Sequence, residues 1–254
     1  MGRLAVTGAS GRMGREVLAA ADERDGVDVV LAVNRGSDRQ TVGNVPVEDA
    51  ADLPALLAER EPNAFVDFTG PESSVEYVEA AAEAGVAAVV GTTGFEADHL
   101  DRLRAASERV PVLRAANFSR GVQALLAAVR EAAARLPGYD VEVTETHHDG
   151  KRDAPSGTAR TLVGAVEEAP RSEGEIGIHA RRAGGVNGEH EVLLAGEQEV
   201  VTLAHRANDR RVFADGALDA AEWLAGRDPG WYEFADVVAD APDGAGGEGG
   251  DRDE

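Results

Sequence analysis

The residues best suited to chemistry in this chain of 254 residues lie around its single lysine, Lys151, which follows the histidine pair His147 and His148. Every other strong base is an arginine. A guanidinium stays charged, whereas a lysine ammonium is a compact charge that can transfer a proton. Imidazole is the other side chain suited to proton transfer near neutral pH. We therefore expect an acid–base site in this segment.

A predicted helix start follows directly, in the sequence Asp153-Ala-Pro-Ser-Gly-Thr158. Pro155 suits the first position of a helix. Ser156, Gly157 and Thr158 would present hydroxyls and backbone amides at an anion-binding helix N-terminus. Together with two imidazoles and an ammonium, these donors suit a small substrate that carries carboxylates and receives a proton. We expect no metal at the histidine pair, because no further ligands follow at metal-binding spacing.

A glycine-rich loop lies near the N-terminus, where Gly8, Gly11 and Gly14 follow a short apolar strand and open a helix. Glycine lets the turn close and lets the backbone approach a pyrophosphate, which binds the free amides of the helix. This context favours a dinucleotide site over a ligand-free tight turn. Asn34 and Arg35 stand where an acid would accept the ribose hydroxyls, so this pair should admit NADP unless Arg35 is simply a surface arginine.

Strands and helices alternate in the first half of the chain, which predicts a parallel doubly wound sheet. Short apolar strands are expected at 4–7, 27–33, 64–68, 86–90 and 111–115, and a helix at 47–60.

The pattern changes in the second half, where a half-exposed strand at 141–146 and a helix at 156–168 are predicted. A later helix, at 217–226, should pack back on the first half. Residues 241–254 are rich in glycine and aspartate and predict a disordered acidic tail. Three further strands are expected to pair antiparallel, at 176–181, 189–195 and 199–204.

We therefore predict an α/β protein with a Rossmann-type, doubly wound parallel sheet and a smaller α+β domain that contains an open mixed sheet. The remaining histidines, which are His99, His179, His190 and His205, are expected to be structural.

The net charge of -22 argues against nucleic acid or an anionic membrane as a partner, because phosphate would be repelled. Such a surface suits a halophilic host with high internal salt, although ordinary solubility is the alternative. The chain has no cysteine, no apolar run long enough to span a bilayer and no signal-peptide pattern, so we expect a cytoplasmic protein.

Six motifs occur in a defined order, namely Gly8-Ala-Ser-Gly-Arg-Met-Gly14, Asp67-Phe-Thr69, Gly91-Thr-Thr-Gly-Phe95, Ala116-Asn-Phe-Ser119, Glu145-x-His-His-x-x-Lys-x-Asp-Ala-Pro-Ser-Gly-Thr158 and Gly188-Glu-His-Glu191. Together they make residues 1 to about 238 resemble the 4-hydroxy-tetrahydrodipicolinate reductase family, also called dihydrodipicolinate reductase. The glycine loop is generic, whereas the histidine–lysine block is highly specific.

This resemblance implies an NAD(P)H-dependent reductase, using NADPH and/or NADH, that converts 4-hydroxy-tetrahydrodipicolinate, a small cyclic dicarboxylate, to tetrahydrodipicolinate. The reaction belongs to the diaminopimelate route of lysine biosynthesis, and the family resemblance implies a homotetramer. It also implies a dinucleotide-binding domain formed by 1–118 and 211–240, and a substrate-binding and tetramerisation domain at 119–210.

By position, the resemblance assigns general acid–base catalysis to His147 and proton donation to Lys151, and it leaves open which of them delivers the proton. It assigns substrate binding to His148, Ser156, Gly157, Thr158 and Thr93. Cofactor contacts are expected at Gly8, Ala9, Ser10, Gly11, Arg12, Met13, Asn34, Arg35, Phe68, Gly91, Thr92, Thr93, Ala115, Ala116, Asn117 and Phe118.

Asn34 departs from the family pattern, in which an acid often stands at this position, so the preference between NADH and NADPH stays open. Another Rossmann-fold oxidoreductase is a rival interpretation, but the chain lacks both a Tyr-x-x-x-Lys pair and a cysteine nucleophile. A non-catalytic nucleotide-sensing module is a second rival, and it would not need the histidine–lysine block.

Overall fold

The computed structural model of the chain describes residues 2–36, 41–169 and 175–240, so the predicted tail at 241–254 lies outside the described residues. The structure contains a seven-stranded sheet and a four-stranded sheet, and both carry helices. Within the described ranges, every helix is too short or too polar to traverse a lipid bilayer.

The larger sheet is entirely parallel, as predicted. Its strands are β1 (Gly2–Thr7), β2 (Val27–Asn34), β5 (Glu48–Asp49), β6 (Ala64–Asp67), β7 (Ala87–Val90), β8 (Pro111–Arg114) and β13 (Gly230–Tyr232), and a small hairpin of β3 (Thr41–Val42) and β4 (Val45–Pro46) precedes β5. The strand order is β13-β8-β7-β6-β1-β2-β5. The central strands β6 and β7 are buried along their whole length, because helices cover both faces of the sheet.

Among the described residues, six helices form the two outer layers, and they are α1 (Arg12–Asp22), α2 (Leu53–Arg60), α3 (Pro71–Ala84), α4 (Ala97–Ser107), α7 (Arg211–Leu224) and α8 (Phe234–Ala239). On one face α1 and α7 contact each other and bury Val17 and Leu218 against the sheet. On the other face α2, α3 and α4 bury Leu57, Val78 and Leu103.

The four-stranded sheet is mixed, and in the described part of the chain no helix covers one of its faces. Its strands are β9 (Asp140–His147), β10 (Ile176–Arg182), β11 (Glu189–Ala195) and β12 (Val200–Arg206), in the order β10-β9-β11-β12. Helices α5 (Arg120–Arg135) and α6 (Gly157–Glu167) cover the other face. Along β9, Val141, Val143, Glu145 and His147 therefore all point toward the helices, because side chains alternate between the faces of a strand.

The structure corrects three sequence expectations. Strand β10 pairs parallel to β9 rather than antiparallel, because the chain passes from one to the other through α6 as a βαβ crossover. Helix α7 begins at Arg211 rather than 217. Its first three residues are only partly buried, so the buried stripe of this helix begins at Ala214. Part of the helix expected at 47–60 is β5 and a 3₁₀ turn at Ala50–Asp52, and the elements β13 and α8 were not predicted.

Helix α7 approaches the loop after β8 closely at Gly216. A Cβ atom at this position would lie 1.9 Å from the carbonyl oxygen of Phe118, which is far inside van der Waals contact. The glycine therefore sets the distance between the C-terminal helix and the loop that leads into the second sheet.

We expect Gly216→Ala to lower the free energy of unfolding by about 1–3 kcal/mol, the usual cost of overpacking. Gly164→Ala is the matched control, because Gly164 is also helical but a Cβ there would meet nothing within 4 Å. The control should gain about 0.5–1 kcal/mol from helix propensity. Denaturant titration measures both values, and a Gly216→Ala protein as stable as the wild type would contradict this packing.

Candidate active site

The glycine loop at the end of β1 is shaped to receive a phosphate group. Gly8 adopts φ +64°, and a Cβ on Gly14 would lie 2.2 Å from the carbonyl oxygen of Gly8, so both positions require glycine. Helix α1 starts at Arg12 with no acidic residue in its first turn, and its N-cap residue makes no side-chain hydrogen bond. The buried Oγ of Ser10 has no hydrogen-bond partner within the described part of the chain. These donors fit the pyrophosphate of a dinucleotide.

A buried carboxylate ties the neighbouring strand ends together. Asp67, at the end of β6, accepts hydrogen bonds from the hydroxyls of Thr7 at 2.6 Å, Thr69 at 2.7 Å and Thr92 at 2.6 Å. Thr7 ends β1, whereas Thr69 and Thr92 follow β6 and β7, so the network fixes three adjacent carboxyl ends of the parallel sheet. Ligands of open α/β sheets bind outside this edge.

A second buried carboxylate organises the smaller sheet. Glu145 is fully buried on β9, and Arg182 of β10 donates to both of its oxygens at 2.8 Å. The Nδ1 of His147 donates to Oε2 at 2.6 Å, and the backbone amide of Ser156 donates to Oε1 at 3.0 Å. Burial alone would raise the pKa of Glu145, but these hydrogen bonds hold that pKa below its ordinary value.

His147 ends β9 at the wall of a cleft. Burial lowers the pKa of its imidazole below the ordinary value, although Glu145 opposes this effect. The ring packs edge-to-face on His190 at a centroid distance of 5.2 Å. Burial and the neighbouring imidazole of His147 lower the pKa of His190 to about 3, so His190 is neutral at physiological pH.

The loop after β9 supplies further charged groups. The ammonium of Lys151 forms an ion pair with Asp153, with 2.9 Å between Nζ and Oδ1. His148 lies 3.5 Å from the guanidinium of Arg12, between Nε2 and Nη1. Burial and the charges of Arg12 and Arg210 lower the pKa of His148. Thus α1 of the larger sheet and the loop after β9 meet across the cleft.

One cleft brings most of the predicted site residues together. From the first half it is lined by the predicted residues Arg12, Met13, Phe68, Gly91, Thr93, Ala116, Asn117 and Phe118. From the second half it is lined by the predicted residues His147, His148, Lys151, Ser156, Gly157 and Thr158. The two walls touch where the amide nitrogen of Asn117 donates to the hydroxyl of Thr158 at 3.1 Å.

The other predicted residues lie outside this cleft lining. Gly8, Ala9, Ser10 and Gly11 form the loop before α1, Asn34 and Arg35 lie at the end of β2, and Ala115 lines a neighbouring depression. The hydroxyl of Thr92 points to Asp67, so this residue contributes to the strand-end network. Arg35 pairs with Glu76 at 2.5 Å, and both side chains are exposed.

Sequence reasoning did not assign several residues that the structure places at the site. Asp153, Asn187, Arg210 and Phe213 also line the cleft, and Glu145, Arg182 and His190 lie behind His147. Glu145 had a signal, because it continues the alternation of Val141 and Val143 and so occupies a core position. Asp153 lies within the histidine–lysine block but was given no role of its own. Arg182, Asn187, His190, Arg210 and Phe213 come from later segments, so no local pattern marks them.

A doubly wound sheet with a glycine loop on one side of a cleft, and acid–base groups on the other, defines a Rossmann-type oxidoreductase.

Comparison with known proteins identifies the family. The family model for the N-terminus of dihydrodipicolinate reductase matches residues 2–118, and the model for its C-terminus matches residues 121–238. The 4-hydroxy-tetrahydrodipicolinate reductase of Natronomonas pharaonis is 52% identical over 92% of this chain and 98% of its own length. The protein of the same name from Haloarcula marismortui is 49% identical over 94% of this chain and 99% of its own length.

A solved structure agrees with these matches. A dipicolinate-bound dihydrodipicolinate reductase from Paenisporosarcina sp. TG-14 superposes with a TM-score of 0.75 at 26% identity, covering 92% of this chain and 97% of its own. The chain belongs to the dihydrodipicolinate reductase family.

Proposed function

We propose that this chain reduces 4-hydroxy-tetrahydrodipicolinate to tetrahydrodipicolinate in the diaminopimelate route of lysine biosynthesis. NADPH or NADH is the hydride donor, and the 4-hydroxyl group leaves as water. One observation carries the proposal: His147, Lys151 and the N-terminus of α6 line the same cleft as Arg12, Met13 and Gly91 beside the glycine loop. The dipicolinate bound to the Paenisporosarcina relative is a cyclic dicarboxylate, which agrees with the anion donors of this cleft.

The dinucleotide supplies a hydride when bound, and the chain's residues hold it and handle the proton and the charges. The residues that fit its pyrophosphate are the glycines of the loop, the free amides of α1 and the unpartnered Ser10 hydroxyl. Gly91 leaves room for the ring of Phe68, since a Cβ at Gly91 would lie 2.1 Å from that ring. Cofactor contacts are proposed at these positions and at Thr92, Thr93 and 115–118.

The substrate carboxylates bind, in this proposal, at the start of α6. Ser156 caps this helix through its hydroxyl, which accepts from the amide of Ala159 at 3.2 Å, so the amides of Gly157 and Thr158 remain for the ligand. His148 and Thr93 contribute from the cleft walls. Lys151 adds positive charge where the substrate becomes anionic, and either Lys151 or His147 delivers the proton that follows the hydride.

Removing either proton-handling group should slow the reaction. We expect His147→Ala and Lys151→Ala each to lower kcat by ~10²–10⁴, the usual contribution of a positioned acid or base. The dissociation constant for NADPH, measured by fluorescence titration, should stay near the wild-type value, because neither residue lies at the glycine loop. Wild-type turnover in either variant would contradict the role assigned to that residue.

A nicotinamide absorbance assay with freshly prepared substrate tests the proposed reaction itself. Consumption of NAD(P)H that depends on the substrate supports the reductase. Nucleotide binding without turnover would instead support the sensing module, and turnover only with other substrates would support another Rossmann-fold oxidoreductase.

The end of β2 is proposed to set the preference between the two nucleotides. Arg35 can pair with a 2′-phosphate, and Asn34 does not repel one. We expect Arg35→Ala to raise KM for NADPH roughly tenfold, which corresponds to the loss of about 1.4 kcal/mol, and to change KM for NADH much less. Glu76→Gln is the reciprocal test, because Glu76 pairs with Arg35 and should compete with the 2′-phosphate for it. This variant should therefore lower KM for NADPH. Equal effects of Arg35→Ala on both nucleotides would remove Arg35 from this role.

We propose that 1–118 and 211–240 form a domain that binds the dinucleotide, and that 119–210 form a domain that binds substrate. The second domain is also proposed to assemble the chain into a homotetramer, located in the cytoplasm. The open face of the four-stranded sheet supports the assembly, because Val200 is 56% exposed there. The net charge of -22 on each chain opposes association at low salt, so we also propose adaptation to a salt-rich host.

Sedimentation velocity at several KCl concentrations tests the assembly. The chain should sediment as a tetramer at high KCl and dissociate as KCl falls, because screening removes the repulsion between acidic subunits. Val200→Asp should shift the equilibrium toward smaller species at every salt concentration. A wild-type monomer throughout would exclude the tetramer.

A further inference from the structure

We propose that Glu145, clamped by Arg182, is a positioning residue that holds His147, the Lys151 loop and the start of α6 in one fixed arrangement. The inference rests on the proposed function, because it concerns how His147 and the anion site at the start of α6 are held at a fixed position relative to each other. Neither Glu145 nor Arg182 lines the cleft, so both act through other residues.

The carboxylate occupies a position where the sequence would ordinarily place an aliphatic residue. Glu145 follows Val141 and Val143 on the buried face of β9 and is 0% exposed. A buried carboxylate is costly unless it is paired and hydrogen-bonded. Both oxygens of Glu145 are engaged by two donors each, so its acceptor capacity is met by the described residues around it.

The first consequence is a fixed tautomer of His147. An ionised carboxylate only accepts hydrogen bonds, so the Nδ1 of His147 must carry the proton that it shares with Glu145. The Nε2 of the ring is then left to exchange a proton with a ligand. Gly188 leaves space at this atom, since a Cβ there would lie 3.2 Å from Nε2.

The second consequence is a rigid link between the imidazole and the anion site. The same carboxylate that binds His147 accepts a hydrogen bond from the backbone amide of Ser156, the N-cap residue of α6. A displacement of Glu145 would therefore move the proton-transfer group and the helix N-terminus together.

Arg182 extends the link to the lysine loop. It stands beside His147 in the register between β10 and β9, which brings its guanidinium to Glu145. It also donates to the backbone carbonyl oxygens of Lys151 at 3.2 Å and of Asp153 at 2.5 Å. One guanidinium thus joins β9, β10 and the segment that carries the lysine.

Several ionisable groups face the imidazole of His147 and determine its titration. Glu145 lies on its own strand, Arg182 on β10 and His190 on β11. His148, Lys151 and Asp153 lie in the following loop. Of these, Glu145 stabilises the imidazolium, whereas Lys151 and Arg182 oppose it. Loss of the negative charge at Glu145 should therefore move the titration of His147 to lower pH.

Glu145→Gln tests the proposal with a side chain of the same shape. We expect kcat to fall by up to about 10⁴-fold, as when a catalytic imidazole loses its orienting carboxylate, while the dissociation constant for NADPH stays unchanged. The limb of the pH–kcat profile that reports His147 should shift to lower pH. Wild-type kcat and an unshifted profile in a folded Glu145→Gln protein would overturn the proposal.

Glu79→Gln is the matched control. Glu79 forms a two-pronged pair with Arg102, at 2.8 and 2.7 Å, between α3 and α4 on the surface. Its loss removes the same kind of interaction away from the cleft, so kcat and the pH profile should stay at wild-type values.

Arg182→Lys keeps the positive charge but loses the bidentate contact with Glu145. This variant tests the proposal if the Glu145→Gln protein does not fold. We expect a fall in kcat of the same order for this variant, with NADPH binding retained. A folded Arg182→Lys protein with wild-type kcat would overturn the clamp.

Nitrogen-15 NMR of the histidine rings separates this inference from the proposed function. Above the titration of His147, the wild type should show a protonated Nδ1 and an unprotonated Nε2, and Glu145→Gln should show a mixture of tautomers. This readout does not need turnover. An inactive wild type with the Nδ1–H tautomer would reject the proposed reaction alone, whereas a wild-type Nε2–H tautomer would reject the positioning role.

Discussion

The burial of one carboxylate constrains how β9, β10 and the start of α6 assemble. Glu145 can remain ionised inside the protein only while Arg182, His147 and Ser156 all donate to it. Those three residues come from β10, β9 and the start of α6, so the ion pair is formed only when these elements are correctly assembled. The desolvation of a charge, which opposes folding on its own, thus selects one register of strands and one position of a helix.

The larger sheet follows the same principle with weaker donors. Asp67 accepts hydrogen bonds from the hydroxyls of Thr7, Thr69 and Thr92, and its hydrogen-bond donors among the described residues are all uncharged. Neutral hydroxyls form weaker hydrogen bonds to a carboxylate than a bidentate guanidinium does. The three hydroxyls around Asp67 nevertheless come from three different strand ends. In each sheet, therefore, a buried carboxylate fixes the edge that borders the cleft. The cleft between them combines a wall rich in backbone amides with a wall rich in ionisable side chains.

The sequence predicts the parallel sheet and the glycine loop because both depend on local periodicity and on glycine spacing. It also predicts that His147 and Lys151 share a site, since only four positions separate them. Arg182 could not be found in this way, because its contact with Glu145 depends on the parallel register of β10. That register depends in turn on the crossover through α6.

Other differences between prediction and structure have equally physical causes. Strand β13 contains three residues, which is too short for any alternation to be recognised. Asn187, Arg210 and Phe213 reach the cleft only because the chain returns from the second sheet toward α7. Asn34 and Arg35 lie where spacing predicts them, but the ion pair of Arg35 with Glu76 joins residues from different elements and has no local signature.

The return of the chain through α7, β13 and α8 has a consequence for biosynthesis on the ribosome. Until residues 211–224 have been synthesised, Val6, Val66 and Val89 lack part of the cover that Leu218 and its neighbours provide. One apolar face of the nascent larger sheet therefore stays partly exposed to solvent while the smaller sheet is translated. Chaperone demand during translation should accordingly be set by the length of the inserted middle segment.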